Sequence, residues 1–278
     1  MIAITTRRRD RRTDVCEAVP MADELVHYVV DRGVATITLD SPSNRNALSS
    51  QLRAELKQHL TSAIDDNAVR VIVLDHTGPV FCAGMDLKEA RGSGAGDQGV
   101  NEFPQLLTQI MTSPKPVVAK LAGPARAGGV GIVAAADIAV AVEDATFAFS
   151  EVRIGVVPAV ISIPVLPRLL PRAAHELFLT GEQFTAKRAA DIGLINSAVP
   201  ADALDDEVGR FVKALVAGGP QAVAATKELL RGDVTADDLA KSFNDMLSLS
   251  ARFFASEEGQ EGITAFAQKR KPNWIPES

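Results

Sequence analysis

Apolar and polar positions switch between two periods along this chain, and each switch outlines an element. Residues 25–28 and 34–39 are apolar-rich runs separated by Asp31-Arg32-Gly33, which predicts a hairpin. Ser49 is placed to cap a helix in which Leu52, Leu56, Leu60 and Ile64 recur at four-residue spacing, with Ala63 beside them. Residues 69–74 (VRVIVL) read as a buried strand. The stretch 91–101 holds Gly92, Gly94, Gly96 and Gly99 and predicts a mobile loop, of a length often tied to function.

A second cycle follows. Residues 103–111 look helical, 116–121 form a strand, 128–136 a helix of small residues, and 138–142 and 147–149 two further strands. From about Ala201 no strand pattern remains, and helical runs cover 204–216, 221–230, 237–254 and 258–268. The pattern predicts an α/β protein: a strand-rich body over residues 21–200 that carries the active site, and a helical C-terminal region over 201–278. The helical tail has too few strands to close a core of its own, which favours packing on a partner. Residues 1–20, with Arg7, Arg8, Arg9, Arg11 and Arg12 interleaved with acids, are expected to be a disordered extension.

Composition narrows the classes. With 46% hydrophobic and 23% charged residues the chain suits a globular protein with a sizeable core. A net charge of -6 gives no overall basic field for nucleic acid or an anionic membrane. No apolar run reaches the roughly 18 residues of a spanning helix. Cys16 and Cys82 lie outside any CxxC pattern, and His27, His59, His76 and His175 show no ligand spacing, so neither a metal nor a disulfide is expected. The expected compartment is the cytoplasm.

Three segments carry candidate chemistry. In FCAGMDLKE, Gly84 permits a tight turn after which the Met85 N–H can face a pocket. In AGGVG, Gly128 opens a helix whose first N–H groups lack intrahelical partners and sit at the positive end of the dipole. In FSEVRIG, Glu151 stands among apolar neighbours, and partial burial would raise its pKa toward that of a general base. Singly, each signal is weak: such glycines pack closely more often than they bind anions, and such a glutamate more often pairs with an arginine such as Arg153.

Their order and spacing together resemble the crotonase (enoyl-CoA hydratase/isomerase) family, from about Leu25 to Trp274. NRNAL at Asn44–Leu48 resembles its early turn, FCAGMDLKE and AGGVGIVAAADIAVA its two oxyanion segments, and TAFAQKR its C-terminal CoA-contacting helix. The resemblance implies a crotonase-type spiral of repeated ββα turns with a helical C-terminal oligomerisation region, forming a trimer or a hexamer of two trimers. It also implies that the Met85 and Gly128 amides bind the thioester oxygen and that Glu151 is a catalytic acid/base. Gly131 stands where typical hydratases carry a second glutamate. For coenzyme A, which is part of the substrate, no separate cofactor being implied, Arg45, Lys88 and Lys269 are candidate phosphate cations. Phe266 is a candidate adenine-packing aromatic, and the backbone around Ala83 a further adenine contact. Phe266 and Lys269 are expected to act from a neighbouring subunit.

The activity implied is hydration of an α,β-unsaturated acyl-CoA in fatty-acid or branched-chain amino-acid breakdown. SEVRIGVVPAVIS resembles the 3-methylglutaconyl-CoA hydratase branch, and Arg126 could then pair with the distal carboxylate. Two alternatives stay open: a Δ3,Δ2-enoyl-CoA isomerase using one glutamate, and a non-catalytic acyl-CoA binding protein. Gly129-x-Gly131-x-x-Ala134 also nominally matches a dinucleotide fingerprint, but the preceding predicted strand ends too early for it.

Overall fold

A computed structural model describes residues 24–90 and 102–276. The segments 1–20 and 91–101, with their expected extension and loop, lie outside the described residues, as does Cys16. Strands β1 (Val26–Asp31) and β2 (Val34–Leu39) pair antiparallel through a two-residue turn. Arg32 and Gly33 there have φ of 45° and 84°, the left-handed geometry that matches strand twist. Ser49 caps α1 (Ser50–Asp65) by accepting from Leu52 N–H, and Leu52, Leu56, Leu60 and Ala63 bury its inner face. Each such leucine contributes about 1.5–3 kcal/mol.

β3 (Val71–His76), β4 (Val117–Leu121), β6 (Ile138–Val142) and β9 (Ser197–Val199) continue from β2 as parallel strands, in the order β1-β2-β3-β4-β6-β9. A smaller sheet joins β5 (Ala125–Arg126), β7 (Thr146–Ala148) and β8 (Phe184–Thr185). The chain alternates between the sheets. β4 in the large sheet leads to β5 in the small one and then α4 (Gly128–Ala135). β6 leads likewise to β7 and α5 (Ala159–Val165). Cys82, bridged to Ala125, marks the same position in the turn before, ahead of α2 (Leu87–Ala90) and α3 (Phe103–Thr112). This is a spiral of ββα turns, and every residue of α4 is buried at its centre.

α5, α6 (Pro171–Thr180) and α7 (Ala186–Asp191) are helices that the hydrophobic pattern did not signal. In α5 the run AVISIPV is apolar on nearly every side and contains Pro164, so it has no polar face to set a period. Strand content ends at Val199, before α8 (Leu204–Ala217), α9 (Pro220–Arg231), α10 (Ala236–Phe254) and α11 (Glu257–Ala267). These helices pack back on the body of their own chain: α8 on β4 and β6, α10 on α3 and α5, α11 on residues 150–154. No helix among the described residues is long and apolar enough to cross a membrane.

Candidate active site

A cavity of about 270 Å³ opens where these layers meet. Its walls are mostly apolar, with Leu87, Phe103, Val157, Pro158 and Ile161 among them. Met85, Gly128 and Glu151 also line it, so the three segments singled out in the sequence converge on one space.

The two amides are brought together by close backbone packing. Gly84 has φ 90°, and a Cβ placed on it would lie 3.0 Å from Ala127 Cβ and 3.5 Å from Gly128 N. No larger residue would let the Met85 turn approach the α4 terminus this closely. Leu48 N–H holds the turn by donating to Gly84 O at 2.8 Å. On the other side Ala127, at φ 47° and ψ -118°, turns the peptide that carries Gly128 N–H. That is costly geometry for a residue with a Cβ, and such strain clusters at functional sites. Among the described residues neither Met85 N–H nor Gly128 N–H has a hydrogen-bond acceptor.

Glu151 sits in a short 3-10 turn, Ser150–Ile154, that leaves β7 and ends at Gly155 with φ 69°. Val156 N–H donates to Glu151 O at 3.1 Å and fixes the turn, leaving the side chain to enter the cavity. α11 seats on this turn at close range: a Cβ on Gly262 would fall 2.2 Å from Ile154 O. The residue as a whole is half-buried, but its Oε2 is shut off from solvent and has no hydrogen-bond partner. Burial pushes its pKa up to about 7. Among the described residues no ion pair with Arg153 forms, so the expected alternative of a structural salt bridge is not what the fold builds.

Gly131 is not an opening left by a missing carboxylate. A Cβ there would lie 2.6 Å from Ile161 Cγ2 and 3.6 Å from Phe103 Cζ, so side chains of α5 and α3 fill the place. Gly129 is likewise a packing glycine, its would-be Cβ 2.6 Å from Cys82 O. Protein atoms fill the space beside both glycines, where the dinucleotide fingerprint requires room for a phosphate. The Cys82 thiol is buried and pushed up to about 12, an inert packing group. Among the described residues no cluster of His, Cys, Asp and Glu could hold a metal ion.

The other candidate residues divide. Ala83 and Phe266 line the cavity. Phe266 is 58% exposed and stands at the cavity of its own chain. Arg45, Lys88 and Lys269 are exposed and do not line it, and Arg45 meets the site through its carbonyl, which accepts Ala83 N–H at 3.1 Å. Arg126 is a correction. Its guanidinium donates to Thr146 O, to Thr146 Oγ1 at 2.7 Å, to Ala125 O at 2.9 Å and to Gln183 Oε1 at 2.9 Å. Those bonds tie the small sheet together and hold both terminal nitrogens of the guanidinium there, and Arg126 does not line the cavity. Lining residues that the sequence did not single out include Ser250 and Phe254 of α10 and Arg270 beyond α11. The cavity is thus lined from both the spiral and the C-terminal helices.

Known proteins share this architecture. A family model described as Enoyl-CoA hydratase/isomerase matches residues 30–277. A crystal structure of an enoyl-CoA hydratase from Mycobacterium avium is similar, with TM-score 0.83 and 43% identity, covering 91% of this chain and 100% of that one. Carnitinyl-CoA dehydratase of Citrobacter koseri is 33% identical over 90% of this chain and 98% of its own. The mitochondrial enoyl-CoA hydratase domain-containing protein 3 of Rattus norvegicus is 34% identical over 87% of this chain and 81% of its own. With the fold, the convergent segments and these relatives in agreement, the chain belongs to the enoyl-CoA hydratase/isomerase, or crotonase, family.

Proposed function

We propose that this protein adds water to an α,β-unsaturated acyl-CoA, with Glu151 as its single acid/base and the Met85 and Gly128 amides as its oxyanion donors. The observation that carries the reading is Glu151, which lines an apolar cavity with a carboxyl whose Oε2 is shielded and unpartnered and whose pKa is about 7. A binding protein needs no such group, and a carboxyl half ionised near neutral pH can both take and return a proton.

In the forward direction the Glu151 carboxylate takes a proton from water as the oxygen bonds to C3. The C2–C3 π electrons move to the thioester as an enolate. Its oxygen is stabilised by two amides that are fixed before the reaction begins, each worth about 2.7–4 kcal/mol of barrier. Glu151 then gives its proton to C2, and the net change is the addition of one water. The names of relatives, a hydratase and a dehydratase, support this direction of chemistry.

The apolar wall suits an aliphatic or branched acyl chain. The 3-methylglutaconyl thioester is the branched candidate on the SEVRIGVVPAVIS motif, with Arg153 as the cavity-lining cation for its distal carboxylate in place of Arg126. Exposed Arg45, Lys88 and Lys269 would meet the CoA phosphates, and cavity-lining Phe266 the adenine. Exposed Leu229 and Leu230 on α9 support assembly as a trimer or hexamer. A cytoplasmic location is part of the same reading.

A second reading rests on the sealed position at Gly131. Without an acid there, Glu151 alone could move a proton from C2 to C4 of a 3-enoyl thioester, which requires no water. The deciding experiment is a panel of crotonyl-CoA, 3-methylglutaconyl-CoA and a 3-enoyl-CoA, followed by mass and ultraviolet absorbance. Gain of water by either of the first two is the expected result. A shifted double bond at constant mass, with no hydration of any thioester, would replace hydratase by isomerase.

A further inference from the structure

Hydration requires that a water be held beside C3, and the position where a second carboxylate would hold it is filled by Ile161 and Phe103. α10 packs against both helices that supply those side chains, α3 and α5, and so completes the same wall. The inward stripe of α10 runs through Leu239, Phe243 and Leu247, which pack on the core, and on to Phe254 at the cavity. Ser250 breaks that apolar stripe. It is only 5% exposed, it lines the cavity, and among the described residues its hydroxyl has no hydrogen-bond partner. Ser250 Oγ is not among the polar atoms shut off from solvent, so this hydroxyl reaches the cavity and can bond a molecule held there.

We infer that the Ser250 hydroxyl holds the oxygen that is added at C3, as water before the reaction and as the 3-hydroxyl after it. This rests on the proposed hydration and goes beyond it by naming the group that stands in for the second acid. Serine is neutral, so it transfers no proton. It accepts from or donates to the water and aims a lone pair at C3, while Glu151 takes the proton that water loses and delivers one to C2. A hydroxyl also suits an apolar wall better than a second carboxylate, because burying it carries no charge-desolvation penalty. Ser250 is thus a positioning residue for the nucleophile, supplied by the C-terminal helices and not by the spiral.

The test separates hydration from proton transfer. Ser250→Ala and Ser250→Thr are compared with the wild type in two assays. One is hydration of whichever panel thioester the wild type hydrates. The other is exchange of the α-proton of butyryl-CoA in deuterated water, which uses Glu151 and the two amides but no attacking water. Ser250→Ala should lose about tenfold in hydration kcat, as expected for one lost hydrogen bond, with exchange unchanged and with hydration restored by Ser250→Thr. Equal hydration by Ser250→Ala and wild type overturns the role of Ser250 alone, as does an equal fall in hydration and exchange. A wild type that exchanges the α-proton yet hydrates no thioester overturns the proposed hydration itself, and the role of Ser250 with it.

Discussion

Among the ionisable side chains drawn out of water in this molecule, Lys227 and Glu151 are treated in opposite ways. Lys227 of α9 enters the body of the protein and is fully partnered: its Nζ donates to Asp137 Oδ2 at 2.7 Å, to Ile110 O at 2.9 Å and to Lys115 O at 3.3 Å. Glu151 enters the cavity and one of its oxygens is given nothing. Lys227, a buried charge that attaches a helix, has a partner for each of its protons, because an unbonded charge is costly. A buried carboxyl without a partner persists where its proton is needed, and the cost is carried by the rest of the fold. The contrast distinguishes a pin that attaches a helix from a group poised to react.

The strongest way to break this contrast is Glu151→Gln. Turnover of the panel substrate should fall by about 10²–10⁴, read by steady-state kinetics, while acyl-CoA ligands still bind. Stability should change in the opposite sense, and its pH dependence fixes the cause. The folded-state pKa of Glu151 is raised from 4.5 to about 7, so the folded form holds the proton more tightly than the unfolded chain. The resulting stabilisation is full below about pH 4.5 and disappears as pH rises through about 7. Relative to Glu151→Gln, the wild type should therefore lose on the order of 3 kcal/mol across that window, measured by denaturant titration at successive pH values. A pH-independent difference would mean that the carboxyl is solvated.

Lys227→Met sharpens the other half. It leaves Asp137, just before β6, without its cation, and should cost about 3 kcal/mol in denaturant unfolding with kcat nearly unchanged. Equal stability of the variant would make Lys227 a bystander. The smallest expected effect is that of Gly131→Ala, whose added methyl meets Ile161 Cγ2. It should cost about 1–3 kcal/mol, and Ile161→Ala in the same chain should recover part of it, a coupling that a double-mutant cycle detects.

Much of the spiral could be read from periodicity, because its early elements are amphipathic or bounded by turns: the Asp31-Arg32-Gly33 hairpin, the Ser49 cap, the apolar faces of α1 and α3. The α5 segment was illegible for the opposite reason, being apolar on nearly every side and interrupted by Pro164. Convergence of Met85, Gly128 and Glu151 followed from the order of three motifs. The filling of the space at Gly131 did not, since Ile161 reaches it from thirty positions away and glycine looks the same in sequence whether it is open or packed against. Arg126 misled because its neighbour in sequence, Gly128, lines the cavity while its own side chain turns to Thr146 and Gln183. Ser250 left a trace, a hydroxyl on an apolar helical stripe, but only the docking of α10 gives that trace a direction.

Because α11 seats on residues 150–154 through Gly262, some hundred positions downstream, the environment of Glu151 is assembled from distant stretches of chain. A polypeptide emerging from the ribosome would expose this carboxyl long before its cover arrives, and until then it is an ordinary surface acid, ionised and well hydrated. Its raised pKa is thus acquired at the end of maturation, so the acid/base role proposed for it begins only when the last helices dock.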